Sequence, residues 1–519
     1  MSSEQVGKTV RELSPKSVLS FGNGNWWLFC LAIVALKFLL LALDPLPKLY
    51  LGDSLSYLWT AISGWIPPDR SYFYGYVIRW LSGSTQSLTS LLIAQVFLGA
   101  VIAITLAWVC RVMFGLSEPL SYFFGFLCAI DPLQLAWERY VMTETFSLFF
   151  YALVLQQSFV YLRDRRITTL VVIQFLSIIT IGFRMIFLVI VEVMAFALPL
   201  IAFLSEIKSG ETATTVRSGR LRFLNRASFW GHLATSVVAM FLLDQGYKQA
   251  NGFLSHREPD HLYGTGYFLL AAWAPTLQPQ DAADSRLAEI IQHGSEFGLR
   301  NPSLRLAQRF TPGCLIDRWR HTETDERKSS QIARRTALNA FLRNPAAVIG
   351  LAAKTYFASW SREMMENSAK SDVAFGIPED QRQLAALGIP KDQGQLAEQQ
   401  LRSQNAERFH FVLTSADIAS NPQTLTKWYY IAGWPYYFVV LLSPLLSFVL
   451  LFVAANKACP LLLFVHSAVM FAVTFLLTTY PAPRFLHSLS FLTILILALT
   501  VKSLLDRWKN AHGEDVVVC

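Results

Sequence analysis

Apolar runs of membrane length constrain this chain more than any other feature. About 20 apolar residues rising 1.5 Å each cross a hydrocarbon core of roughly 30 Å. Ten segments approach that length, near 26–43, 88–110, 117–135, 141–162, 167–182, 184–204, 228–244, 429–455, 459–479 and 485–504. Only 15% of the 519 residues are charged and 53% are hydrophobic, against roughly a quarter charged in soluble domains. A soluble enzyme is excluded, and the expected fold is an all-α polytopic membrane protein of about ten transmembrane helices.

The formal charge of +8 does not point to nucleic acid, because the basic residues cluster at the ends of apolar runs, where membrane orientation needs them. With the N-terminus inside, Lys8/Arg11/Lys16, Arg111, Arg163/Arg165/Arg166, Arg217/Arg220/Arg222/Arg226, Lys457 and Lys502/Arg507/Lys509 all fall on the cytoplasmic side. Both termini are then cytoplasmic, and segments 44–87 and 245–428 lie outside. The chain divides into an N-terminal membrane module (1–244, with the 44–87 loop), an outer loop domain (245–428) and a C-terminal membrane module with a short tail (429–519). Turn signals such as Asn301-Pro302 and Asn344-Pro345 between helical patterns make the long loop a folded, mainly helical domain. Residues 346–360 are interrupted by Lys354 and read as an interfacial or buried helix. The six cysteines are scattered, so neither a disulfide framework nor a metal-ligand spacing emerges, and no metal or cofactor is expected. The outer loops carry no Asn-x-Ser/Thr sequon, which favours a bacterial inner membrane.

Chemistry is expected in the outer loops. Beginning at Asp53, the pattern predicts an amphipathic helix with Leu55, Leu58, Trp59, Ile62 and Ile66 on one face, lying on the membrane surface with Asp53 at its N-terminus and Tyr57 one turn further on. Asp53 is then either a helix cap or a reactive carboxylate. Gly52-Asp53-Ser54-Leu55 also spells an esterase nucleophile block, but the soluble α/β context that such a serine requires is missing. Between the third and fourth spans, the stretch from Asp131-Pro132 to Thr143-Glu144 contains Glu138, Arg139 and Glu144. Glu144 at a span start must face protein or water, or serve the helix dipole. Arg139, Arg184 and Arg484 sit on the side where basic residues are scarce, and guanidinium forks suit phosphate. Their structural alternative is pairing with Glu138 or Glu144. Within the membrane, Lys37 and Glu192 lie at depths of roughly 9 and 12 Å and are expected to pair.

The order Asp53-x-x-x-Tyr57-x-x-x-Ala61, Tyr74-Gly75-Tyr76, Gln95-Val96-Phe97-Leu98-Gly99, Ala129-Ile130-Asp131-Pro132 and Met142-Thr143-Glu144-Thr145 resembles the GT-C superfamily of membrane glycosyltransferases. It is most similar to bacterial relatives of protein O-mannosyltransferases and aminoarabinose transferases. Gly182-Phe183-Arg184 and Pro483-Arg484-Phe485 resemble that superfamily's arginine-bearing turns. The resemblance implies a polyprenyl-phosphate-linked sugar donor, transfer on the outer face to a lipid, glycan or protein hydroxyl, and Asp53 as base. Arg184, Arg484 and Arg139 would hold the phosphate, with Tyr57, Glu138, Glu144 and Tyr74 lining the pocket. Many such proteins carry a second acid after the first, where this chain has Ser54. The alternatives are an O-antigen ligase or polymerase and a lipid-linked-saccharide transporter.

Overall fold

The computed structural model describes residues 24–50, 53–206, 227–367 and 432–512. The basic clusters at Lys8/Arg11/Lys16 and Arg217/Arg220/Arg222/Arg226, and residues 368–428 of the long loop, lie outside the described residues. The described chain is all-helical, with one isolated bridge pairing Lys48 with Tyr140. Seven helices are long and apolar enough to cross a membrane, or eight if one bent pair counts as a span. That is the build of a polytopic helical membrane protein.

The membrane module begins with α1 (Gly24–Leu43), α2 (Asp53–Ser63), α3 (Phe73–Thr85) and α4 (Thr89–Trp108), the last continuing into a π turn over Val109–Met113. There follow α5 (Glu118–Ala129), α6 (Pro132–Trp137), α7 (Glu144–Asp164), α8 (Ile167–Phe183), α9 (Leu188–Glu206) and α10 (Ala227–Ser255). The third apolar run is thus two helices, not the single span over 117–135 that hydropathy predicts. Asp131 breaks it: its carboxylate accepts the Leu133 N–H at 2.9 Å and Pro132 starts the next helix. The 12 residues of α5 reach only about 18 Å. α8, at 17 residues, reaches about 26 Å. α10 continues to Ser255, so the division at 244/245 falls inside a helix.

The outer-loop region supplies α11 (Thr265–Ala272), α12 (Ser285–Gln292), α13 (Arg305–Phe310), α14 (Leu315–Thr322), α15 (Glu326–Arg343) and α16 (Pro345–Ala358). Leu270, Leu287, Leu315, Trp319, Ala333 and Ala337 form its own core. α16 spans the stretch expected as an interfacial or buried helix: Lys354 is exposed, and Tyr356 packs on Phe471 and Phe475 with ring centroids 5.1 and 5.2 Å away. The chain closes with α17 (Trp434–Leu441) and α18 (Ser443–Val453), bent by 55° where Pro444 lacks an N–H, then α19 (Ala458–Leu477) and α20 (Pro483–Ala511). Pro483 at the first position of α20 suits a helix start and places Arg484 at its mouth.

α2 forms where expected, and of the expected face Leu58 and Ile66 are buried, but the covered side is shifted toward Tyr57 and Ala61. Tyr57, Leu58 and Ala61 are buried against protein, while Trp59 and Ile62 are only partly covered. The cause is a close crossing with α3. A Cβ at Gly75 would stand 2.4 Å from Thr60 Cβ, so only glycine lets the two backbones approach. The loop before α2 is pinned to the turn after α6: Lys48 N–H donates to Arg139 O and Val141 N–H to Lys48 O, each at 2.8 Å. Ser54 spends its hydroxyl on Val141 O at 2.9 Å and accepts the Tyr50 N–H at 2.7 Å. It is a structural residue and not a nucleophile.

The domain built by α11–α16 is clamped onto the same end of the bundle. Arg305 donates to Thr479 O at 2.9 Å and Thr478 O at 3.3 Å, Trp273 Nε1 donates to Leu476 O at 2.9 Å, and the Tyr263 N–H donates to Pro68 O at 2.8 Å.

Candidate functional site

Chain segments far apart in sequence meet at this end around alternating charges. Asp53, at the first position of α2, uses both oxygens: Oδ1 accepts from Arg70 Nη1 at 2.5 Å and Oδ2 from Arg484 Nη2 at 2.8 Å. Among the described residues its side-chain partners are guanidiniums, not the backbone N–H groups that a capping role would recruit. Arg484 bridges onward, its Nε donating to Glu144 Oε1 at 2.8 Å. Arg184, the extended residue after α8 that leads into the 3-10 turn Met185–Phe187 before α9, reaches the same Oε1 at 3.4 Å and Ser488 Oγ at 3.5 Å. Glu144 is fully buried, while Asp53, Arg184 and Arg484 keep partial exposure, with side chains 19%, 12% and 15% accessible. Two of the three expected arginines therefore converge, and the anion they share here is Glu144.

Aromatic residues wall the cluster. Arg484 Cζ lies 4.5 Å from the Tyr50 ring centroid and 5.7 Å from that of Trp137, in cation–π range. Tyr57 is buried beside the charges; burial pushes its phenol pKa up, and Arg70 opposes that shift. Its ring meets Tyr74 edge-on at 5.1 Å. Tyr74 is a step removed, donating its hydroxyl to Gln95 Oε1 at 2.5 Å while the Gln95 amide fixes Glu138 O and Tyr140 O at 3.0 and 2.9 Å. Tyr74 thus supports the turn that carries Trp137 and does not touch the carboxylates.

Glu138 and Arg139 belong to a separate buried network. Glu138 Oε1 accepts from Lys37 Nζ at 2.6 Å and Gln134 Nε2 at 3.0 Å, and Gln134 Oε1 pairs with His487 Nε2 at 2.7 Å. Gly99 makes the seat, since a Cβ there would stand on the Glu138 carboxylate. Arg139 has only Glu138 Oε2, at 3.6 Å, and no contact joins it to the Asp53 cluster among the described residues. The expected Lys37–Glu192 pair does not form: Lys37 is fully buried against Glu138, and Glu192 is exposed on the bundle surface.

That network gives a measurable asymmetry. Glu138→Gln strands both Lys37 and Arg139, and breaking a buried pair this way costs about 3–5 kcal/mol. Lys37→Met leaves Arg139 to pair with Glu138 and is expected to be the milder change. Lys37→Met/Glu138→Gln should recover part of the loss of Glu138→Gln alone. Thermal unfolding in lipid nanodiscs reads this, and strictly additive losses would remove the coupling.

Arg70 is the residue that sequence reasoning missed. Burial alone would lower its pKa, but Asp53 and Asp69 outweigh that and raise it, so the guanidinium stays charged. The signal was present: Arg70 is another cation in the 44–87 loop, which the expected topology sets on the side where cations are scarce. No group of three or more His, Cys, Asp or Glu residues able to hold a metal occurs among the described residues.

Fold and site together define a multi-pass helical membrane protein with a partly buried arginine–carboxylate cluster at one end of its bundle. Comparison with protein-family models, with curated proteins and with solved structures found no match.

Proposed function

We propose that this chain is a membrane glycosyltransferase of the GT-C type, moving a sugar from a polyprenyl-phosphate donor to a hydroxyl acceptor on the outer face of a bacterial inner membrane, with both termini cytoplasmic. The observation that carries this reading is the position of Asp53: a carboxylate at a helix start, bonded through Arg484 to Glu144 beside Arg184, at the end of an apolar bundle. Such a site offers a base and fixed cations side by side, with helices beside which a polyprenyl tail can lie.

The chemistry is an inverting displacement. The acceptor oxygen attacks the anomeric carbon, its proton passes to Asp53, and the bond from that carbon to the phosphate oxygen breaks with its electron pair on the departing phosphate. Both Asp53 oxygens are held by arginines. A donor phosphate that draws the Arg484 fork to itself releases Oδ2 to act as base, so donor binding and base activation are one event. Arg184, whose contacts of 3.4 and 3.5 Å are loose, is the freer cation and completes the phosphate cradle.

Transport has one feature in its favour, the broken span at α17–α18. Transporters usually carry such breaks in matching pairs, and among the described residues only this bent pair is long and apolar enough to make one span. The test is purified protein in nanodiscs with a radiolabelled polyprenyl-phosphate sugar and a bacterial envelope extract as acceptor. Label is expected to move to an acceptor, with free polyprenyl phosphate released in equal amount. Movement of intact donor across the bilayer without bond cleavage would replace transfer by transport.

A further inference from the structure

The charges around Asp53 continue past Arg70 to the outer domain. Arg70 Nη2 lies 3.6 Å from Asp69 Oδ2, and Arg309 Nη2 lies 3.8 Å from that same oxygen. The whole line runs Arg309, Asp69, Arg70, Asp53, Arg484, Glu144, Arg184, alternating in sign and beginning and ending on an arginine. The bonds that meet at Asp53 and run on through Arg484 are short, at 2.5 to 2.8 Å. The two terminal cations are the loosely held ones. Arg184 is at the end assigned above to the donor phosphate.

Arg309 is the less satisfied of the two. Its side chain is 9% exposed, it donates no hydrogen bond to any described residue, and its Nε is buried without a partner. It is held in place by rings instead, its Cζ lying 4.5, 5.1 and 5.5 Å from the centroids of Phe268, Phe310 and Tyr267. Burial lowers its pKa to about 10, with Arg70 and Arg320 adding to the effect and Asp69 opposing it, so it remains a cation at neutral pH. A buried guanidinium without hydrogen bonds is costly, and Asp69 is beyond hydrogen-bond distance of both neighbouring arginines. Arg70 Nε is also buried and unpartnered. Two forks from different parts of the chain thus flank one poorly used carboxylate, and Arg70 links it to the Asp53 oxygen that Arg484 does not use.

We propose that Arg309 and Arg70 form a second oxyanion subsite, and that the acceptor is a hydroxyl compound carrying its own phosphate. This rests on the transferase reading and adds the acceptor's class to it. A phosphate presents enough oxygens to satisfy both forks at once, and binding there sets the acceptor hydroxyl beside Asp53. The outer domain, through α13, selects what is glycosylated.

Glycerol 3-phosphate is the probe, with glycerol as control and no donor present, so the binding result stands apart from whether transfer occurs. In full-length protein in nanodiscs, glycerol 3-phosphate is expected to raise the unfolding temperature in a saturable way and glycerol is not. Arg309→Gln should weaken binding about tenfold or more, the value of a charge-assisted bond, and Arg309→Lys by less. Arg184→Gln, which damages the donor end, should leave the response in place. Asp69→Asn keeps both arginines, removes the competing carboxylate and should tighten binding. No response in the wild type, a response lost only in Arg184→Gln, or unchanged binding in Asp69→Asn and Arg309→Gln would overturn the subsite. Absence of transfer in the labelled-donor assay, with phosphate binding intact, would overturn the transferase reading and the acceptor's class with it, and leave the oxyanion subsite standing.

Discussion

Asp53→Asn is expected to reduce sugar transfer by about 10² to 10⁴, the usual worth of a general base, while donor binding is kept. The amide has nearly the shape of the carboxylate but cannot take a proton. It also turns an NH₂ group toward either Arg70 or Arg484, each of which needs an acceptor, so some stability is lost as well. Donor affinity separates the two effects. With Asp53 neutralised, Arg70 and Arg484 carry more uncompensated charge and should hold an anionic donor at least as tightly. Single-turnover kinetics and equilibrium binding of a labelled donor, in the same preparation, give the split. Near wild-type turnover would remove Asp53 from the chemistry. Retained turnover with a lowered unfolding temperature would make it a structural bridge between the two arginines.

Much of the bundle was legible because hydropathy and length act locally. A run such as 459–479 has no stable alternative in lipid but a helix with all its backbone groups bonded internally, and α19 follows it closely. The 117–135 run failed for an equally local reason, since Asp131-Pro132 is a helix-start signal inside an apolar stretch. The charged pairs were less legible. Depth estimated from a 1.5 Å rise fixes how far along its helix a residue lies but not which way it faces. Lys37 and Glu192 matched in depth, yet Lys37 points at Glu138, which the folding of α6 carries inward. Arg184 and Arg484 were legible because the expected topology sets them on the side poor in basic residues, where a cation needs a local reason. The same criterion applied to 44–87 returns Lys48, Arg70 and Arg79 together, and only the fold separates Arg70 from the other two. Arg309 had no sequence signal at all, because a cation in a polar loop domain is ordinary until its burial is known.

Arg484→Lys is expected to lower turnover by about 10² to 10³, the effect of losing one aimed donor at a developing oxyanion, and to lower stability too. Lysine keeps the charge, but one ammonium cannot reproduce a fork that donates to Asp53 and Glu144 from two nitrogens at once while lying against Tyr50. Glu144 is then left buried with Arg184 as its remaining basic partner, at 3.4 Å. Arg184→Lys should behave differently. Its contacts to Glu144 and Ser488 are long, so stability changes little, and its main contribution arises when the leaving phosphate gains charge; turnover falls while donor affinity changes less. Because both arginines share Glu144, their effects should not add: Arg184→Lys/Arg484→Lys is expected to lose less than the product of the two single losses. Turnover, donor affinity and unfolding temperature for all three variants make the test. Wild-type kinetics throughout would leave the two arginines as holders of Glu144 alone, and strictly multiplicative losses would mean that they act on different anions.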